Sequence, residues 1–486
     1  MKRLLALLAL VAAPSLARAD GAFPTELNVF FPSAQPQLVV IATNFGLLVS
    51  TDGAQTFDFV CEQPAITPLG INVNLYQVSD QGTILADSGA GIFRSSDGAC
   101  SWTAGGGSLA NVNVADAAFD PKNPGTVMAL ASPHSGAAEI ALSTDDGQTF
   151  APPVWSGQAL LSGVEFSRAQ AGRVYVTGNW LCPQTGAPFL MRSDDEGAHW
   201  TTFDLSSLGD VVVRIAQVDP TDPGTVYFRV SSLVGQGDWL AWTHDAGATL
   251  QSGLHLAVPM SAFLRASDGT LYAGTSRGEL DVLASGQTTW QRSEGGPHLK
   301  GLAEADGAIW VAADDYADKM VLGKSLDGAK TFCPVFAFSQ MNGLPSCQYV
   351  QTQCQTSWSQ EQQFFKVTGP GDAGTPCIGG SPDGSYASGS DGFPGGDAGA
   401  CDLAGEAPTD AGSLADAGGT DAGGADAGAP DSGPAALDAG RGPLSGPPPT
   451  SKSTAGGCGC GSGGAAGWLG IGLLLLGLAA TRRSRA

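Results

Sequence analysis

Carboxylates supply most of the chemistry this chain could perform. Asp52, Asp97, Asp145, Asp195, Asp245 and Asp327 each stand two places after a Ser or Thr. Paired carboxylates can act as general acid and base, and alternating ones can ring a divalent cation. Glu26, Glu62, Glu139, Glu165, Glu196, Glu279, Glu294, Glu304 and Glu361 are further candidates for an activating base. Asp314-Asp315 before Tyr316 is the one adjacent acidic pair that could line an end face, although a solvated loop explains it as well. His134, His199, His244, His255 and His298 are scattered, and none pairs at metal-ligand spacing. No metal and no cofactor are expected from these residues.

The six Asp share a setting that gives them a different task. The phrase runs Ser50 to Phe57, Ser95 to Trp102, Ser143 to Phe150, Ser193 to Trp200, Thr243 to Leu250 and Ser325 to Phe332. Successive Asp lie 45, 48, 50, 50 and 82 residues apart, subtracting their positions. Within the last gap, Ser285 to Trp290 keeps the end of the phrase and loses its Asp, which makes seven units. Units of this length cannot each bury a core, so they must stack. Gly269–Thr275, Gly278–Leu283 and Thr288–Arg292 read as short alternating strands separated by Gly-containing turns. Asp120-Pro121-Lys122-Asn123-Pro124-Gly125 and Asp219-Pro220-Thr221-Asp222-Pro223-Gly224 read as reverse turns ahead of two units. Four strands per unit predict an all-β, seven-bladed β-propeller over residues 20–340. The recurring phrase falls between the third and fourth strands, where Ser or Thr and Asp can bond local N–H groups and the aromatic tucks under the sheet.

This phrase resembles the Asp-box, or BNR repeat, of sialidases, sortilin-type receptors, two-propeller xyloglucan hydrolases and single-propeller photosystem II assembly factors. The resemblance covers about residues 22–340 and implies a structural role for Ser50, Asp52, Phe57, Ser95, Asp97, Trp102, Ser143, Asp145, Phe150, Ser193, Asp195, Trp200, Thr243, Asp245, Ser325, Asp327 and Phe332. In those families the box braces the blade margin, away from the axial pocket where ligands bind. A sialidase would add three substrate-clamping Arg, one from a Phe-Arg-Ile-Pro motif ahead of the first box. That motif is absent here, and the first Arg after residue 19 is Arg94. Phe228-Arg229-Val230 and Phe263-Leu264-Arg265 are its nearest echoes, both far downstream. A xyloglucan-type hydrolase would place two Asp across a cleft between two propellers, and only one propeller is expected. No catalytic residue is therefore assigned. A binding module for a protein, peptide or glycan is favoured over a surface glycan hydrolase with a non-standard site.

The ends of the chain carry export signals. Lys2 and Arg3, the apolar run Leu4–Ala13 and Ala17-Arg18-Ala19 form a signal peptide over residues 1–19. Residues 366–457 are rich in Gly, Ala, Asp, Pro and Ser, with Asp-Ala-Gly recurring, and read as a disordered stalk. Gly457-Cys458-Gly459-Cys460-Gly461, a short apolar helix from Trp468 and the cluster Arg482, Arg483, Arg485 follow. This order resembles the MYXO-CTERM sorting tail, which implies processing or lipidation at Cys458 or Cys460, membrane attachment over 458–486, and an exported protein on a bacterial outer surface. The formal net charge of -23 disfavours nucleic acid, and a monomer is expected. Eight Cys precede the tail, an even number suited to disulfides in an exported chain. A Cys61–Cys100 bridge between neighbouring blades is expected. The aromatic-rich run from Cys333 to Phe365, with residues 341–365 as its own unit, reads as a clasp on the finished propeller.

Overall fold

A computed structural model describes residues 26–62, 75–87, 91–131, 137–181, 186–233, 237–371 and 377–379. The expected signal peptide, the sorting tail with Cys458 and Cys460, and most of the expected stalk lie outside the described residues, as do Cys182 and Cys401.

Seven antiparallel sheets follow one another along the chain, the first four strands of each coming from consecutive sequence. Their first strands are Glu26–Phe30, Leu75–Val78, Val114–Phe119, Ala159–Phe166, Val211–Val218, Met260–Arg265 and Leu299–Ala305. First strands of neighbouring blades pack on one another, and that of blade seven meets that of blade one, which closes the ring. The expected seven-bladed propeller is thus observed, including a sixth blade whose outer strand Gln291–Ser293 follows the Asp-less phrase.

The second strands show why these segments pair as they do. Val39–Thr43, Val127–Ala131 and Ala308–Ala313 are buried along their whole length. Each lies mid-sheet with another blade stacked on either face, so the apolar run is continuous instead of alternating. First strands differ, because their inner edge faces the axis. Six of the seven carry a register shift, as between Val114 and Asp116 and between Ile215 and Gln217. An added residue kinks the strand and re-aims the side chains that follow. Polar groups from these kinked strands then bond across to the next blade, as Ser162 Oγ does to Val213 O at 2.6 Å and Ser261 Oγ to Leu299 O at 2.6 Å.

After blade seven the chain crosses back onto blade one. Phe59 N–H donates to Gly343 O at 2.7 Å, and helices Gln348–Gln353 and Gln355–Phe365 lie beyond that contact. Val350, Cys354 and Trp358 from these helices join the core cluster of blade one with Phe57 and Phe59. The disulfides correct the expected pairing. Cys61 bonds Cys354, Cys100 bonds Cys347 and Cys333 bonds Cys377, with Cα separations of 5.5, 5.4 and 4.1 Å. Cys61 and Cys100 do not meet because the clasp passes over both of their blades. Cys347 and Cys354 bracket its first helix, one end over each blade. The ordered fold also runs further than the sequence predicts. Thr368 N–H bonds Ser339 O, and Ile378–Gly379 adds a fifth strand to blade seven beside Cys377. Residues 366–371 and 377–379 therefore belong to the folded body, because the third disulfide and the added strand tie them to it.

Candidate functional site

The recurring phrase forms the same turn six times, always between third and fourth strands. In the first copy Ser50 Oγ donates to Asp52 Oδ1 at 2.7 Å and accepts from Ala54 N–H at 2.9 Å. Asp52 Oδ1 accepts from Thr56 N–H at 3.0 Å, and Oδ2 accepts from Thr56 Oγ1 at 2.6 Å. The same bonds recur around Asp97, Asp145, Asp245 and Asp327. Around Asp195, His199 Nδ1 takes the place of the hydroxyl at 2.6 Å. Two successive residues with positive φ complete each turn, such as Asp146 at 63° and Gly147 at 82°. At Gly147 a Cβ would fall 2.9 Å from Leu85 Cδ2. The closing aromatics Phe57, Phe150 and Phe332 are buried, while Trp102 and Trp200 are half-buried.

Both oxygens of each of these Asp are thus committed within the turn. The bonds hold the Asp195 and Asp245 carboxyls down at about 2, led by His199 and Thr249 respectively. At Asp52, Asp97, Asp145 and Asp327 burial pushes upward, and the bonds from each turn outweigh it to leave the carboxyl lowered. A carboxylate held ionised by its own turn has no proton to give. The arginines are committed too. Arg94 pairs with Asp146, Arg173 with Asp194, Arg229 with Asp238, Arg265 with Asp219 and Arg292 with Asp281, so they act as braces.

Asp314 and Asp315 do not form a working pair. Asp314 caps the short helix Asp315–Asp318, accepting from Tyr316 N–H and Ala317 N–H. Burial pushes the Asp315 carboxyl up to about 6, against a bond from the Phe338 backbone. Asp318 bonds His298 Nδ1 at 2.8 Å and raises that imidazole above its ordinary value, a contact that spacing alone does not reveal. No group of three or more His, Cys, Asp or Glu among the described residues is arranged to hold a metal ion.

The axis offers a different acidic site. A cavity of about 480 Å³ is walled by first strands of blades one to five, from Asn28 and Phe30 round to Ile215 and Ala216. The turns that follow those strands contribute Asp80, Asp120 and Arg168 to its lining. Asp80, Asp116, Asp120, Asp146 and Glu165 line it, with Arg168 as the one basic residue. Arg168 is bonded to Asp80 at 2.9 Å and Arg94 to Asp146, so Asp116, Asp120 and Glu165 have no ion pair among the described residues.

Each of these three is oriented by backbone. Asp116 Oδ2 accepts from Val164 N–H at 2.9 Å, Glu165 Oε1 from Val218 N–H at 3.0 Å, and Asp120 Oδ1 from Lys122 N–H at 2.8 Å. Burial pushes the Asp116 carboxyl up to about 6 and Glu165 up to about 7, despite those bonds. Asp120 is raised as well, by burial first, with Glu196 adding to it and Lys122 opposing. Acids with weakened ionisation, grouped in one concave site, suit a proton donor, or the seat of a cation that restores their charge.

Sequence reasoning placed Asp120 in a turn and Glu165 among nine undistinguished Glu, and it did not single out Asp116. The available signal was the repeat itself, since Asp116 and Glu165 lie within first strands and Asp120 directly follows one.

No protein-family model matches the chain, and no characterised protein matches its sequence. Solved structures are similar over part of the chain. An ancestral GH74 enzyme matches 65% of this chain and 45% of its own at 14% identity, with a TM-score of 0.42. YCF48 bound to D1 peptide matches at 19% identity over 44% of this chain and 65% of its own, TM-score 0.30. YCF48 from Cyanidioschyzon merolae matches at 13% identity over 60% of this chain and 93% of its own, TM-score 0.39. This chain therefore spans under half of the GH74 enzyme and about two thirds of the peptide-bound YCF48 chain.

Proposed function

We propose that this chain is a non-catalytic binding propeller, exported to a bacterial cell surface and anchored there by its C-terminal tail. Its axial cavity receives part of an extracellular protein or peptide. One observation carries the reading: a cavity of about 480 Å³ in which Asp116, Asp120 and Glu165 have no ion pair among the described residues while their orientation is set by main-chain donors. Such a surface attracts a cationic group and holds it in one geometry. Three disulfides suit an oxidising compartment outside the cytoplasm. The recurring turns support membership of the Asp-box class, with the box residues as scaffold, and the Cys458-Gly459-Cys460 tail supports surface delivery.

A second reading has one observation in its favour. Glu165, pushed up to about 7 beside the raised Asp116, has the proton affinity of a glycosidase acid. Incubating the intact chain with a panel of fluorogenic glycosides, a sialoside included, separates the two. Turnover abolished by Glu165→Gln makes the chain a hydrolase. Absence of turnover, with capture of a cell-envelope partner lost in Asp116→Asn/Glu165→Gln, establishes the binding reading.

A further inference from the structure

Two junctions between blades carry the same turn and differ in what fills them. Between blades five and six, Asp219 opens its turn with Oδ1 accepting from Thr221 N–H at 2.8 Å. Its Oδ2 receives Arg265 Nε at 2.7 Å, and Arg265 is the last residue of the first strand of blade six. The guanidinium is completed by the carbonyls of Ala266 and Ser267 and by Thr221 Oγ1. Gln217, two places before Asp219, accepts the Arg265 N–H at 2.7 Å.

Between blades three and four, Asp120 opens the sister turn, with Oδ1 accepting from Lys122 N–H at 2.8 Å. The register is fixed by matching bonds. Asp120 N–H reaches Thr126 O as Asp219 N–H reaches Thr225 O, and Ser167 N–H reaches Arg173 O as Ala266 N–H reaches Thr270 O. Phe166 therefore stands where Arg265 stands, and Ala118 stands where Gln217 does. Asp120 is 3% exposed, and its Oδ2 is buried with no hydrogen-bond partner. Both Phe166 and Ala118 line the axial cavity beside it. One junction thus shows a buried Asp oxygen with its guanidinium, and the other shows the same oxygen with a cavity.

We propose that the axial cavity is a guanidinium site, in which an arginine side chain of the polypeptide partner lies beside Asp120 as Arg265 lies beside Asp219. The assignment rests on the binding reading and names the group the cavity takes. By position in the repeat, the carbonyls of Ser167 and Arg168 correspond to the two that Arg265 uses. A planar fork of donors suits that set, whereas an ammonium supplies the charge without the shape. Lys122 replaces Thr221 and is exposed, with Glu196 of opposite sign acting on the same carboxylate. Asp116 and Glu165 line the same cavity, and a cation beside them favours their ionised forms.

The test is a calorimetric titration of the intact chain with the peptide acetyl-Gly-Arg-Gly-amide, its Lys and citrulline counterparts, and free L-arginine. The arginine peptide binds, the citrulline peptide binds at least tenfold more weakly, and Asp120→Asn lowers arginine-peptide affinity at least tenfold. The Lys peptide falls between them, and free arginine binds more weakly than the peptide. Equal binding of arginine and citrulline peptides, no binding of either, or unchanged affinity in a folded Asp120→Asn chain overturns the proposal. Phe166→Arg supplies the guanidinium from within. It excludes the arginine peptide, and a folded Phe166→Arg chain that keeps wild-type affinity also overturns the assignment. If Asp120→Asn still captures an envelope partner that Asp116→Asn/Glu165→Gln loses, the binding reading stands and the arginine assignment falls.

Discussion

Cys61 and Cys354 are bonded across 293 residues of sequence, joining the outer strand of blade one to the joint between the two C-terminal helices. The bond sits among Phe59, Val350 and Trp358, so the covalent link and the apolar contact between clasp and ring coincide. Cys100–Cys347 repeats the attachment one blade further round. The clasp is thus held to both of the first two blades.

Removing that link should loosen the ring. Cys354→Ser is expected to cost roughly 2–4 kcal/mol, the usual range for a disulfide closing a long loop. Urea unfolding of the variant against the wild type measures it. Peptide mapping without reduction should return the Cys61/Cys354 and Cys100/Cys347 pairs, and a Cys61/Cys100 peptide would contradict the assignment.

Stability should fall as pH rises from about 4 through about 7. Asp116 and Glu165 have raised folded-state values, so their contribution is fully present below the unfolded values near 4 and is lost as pH passes about 6 and about 7. Facing charges temper the change. Arg214 favours ionised Asp116 and Arg168 favours ionised Glu165, while Asp116 opposes ionisation of Glu165. Glu165→Gln keeps an acceptor for Val218 N–H and should flatten the slope, gaining on the order of 2 kcal/mol at pH 8. Denaturant midpoints at pH 5 and pH 8 decide this.

Asp195 and Asp245 should show the opposite sign. Their values are held at about 2, so the stability they contribute is present above the unfolded value near 4 and disappears as pH falls through about 2. Asp145→Ala removes the acceptor for Thr149 N–H and Oγ1, and should cost about 1–2 kcal/mol, as loss of a comparable capping side chain does. The equivalent substitution Asp327→Ala should leave partner capture unchanged, because its turn contributes no residue to the cavity lining.

Arg265→Met should be more damaging than an exposed charge deletion. The Asp219 side chain is 6% exposed, and the substitution leaves its carboxylate buried without a partner. A loss of roughly 3–5 kcal/mol is expected. The double variant Arg265→Met/Asp219→Asn should recover part of it, read from the same urea midpoints.

The architecture was legible in the sequence to an unusual depth, and the site was not. Six units could be counted because each turn needs the same Asp and the same positive-φ pair, and five of the six end on an aromatic, which leaves a periodic trace. Even the unit lacking Asp, at Ser285, could be placed from its Trp290. Disulfide partners left no such trace, since nothing in the spacing of Cys61, Cys100, Cys347 and Cys354 tells which blades the clasp crosses. The axial acids were obscure for a related reason. Asp116 and Asp120 belong to the first strand of blade three and the turn after it, Glu165 to the first strand of blade four, and only the packing of those blades brings them to one cavity. What distinguishes Asp120 from Asp219 is a Phe in place of an Arg about fifty residues downstream, a difference visible only once the junctions are superposed.

The local origin of the four main strands of each sheet has a topological consequence. Because no blade borrows a strand from the opposite end of the chain, the ring has no built-in first or last member except where the clasp marks it. A permuted chain, joined from blade seven to blade one and reopened between blades four and five at residues 205–210, would retain every sheet intact. It would part the two termini from the clasp, and so reveal how much of the ring's cohesion belongs to the blades themselves.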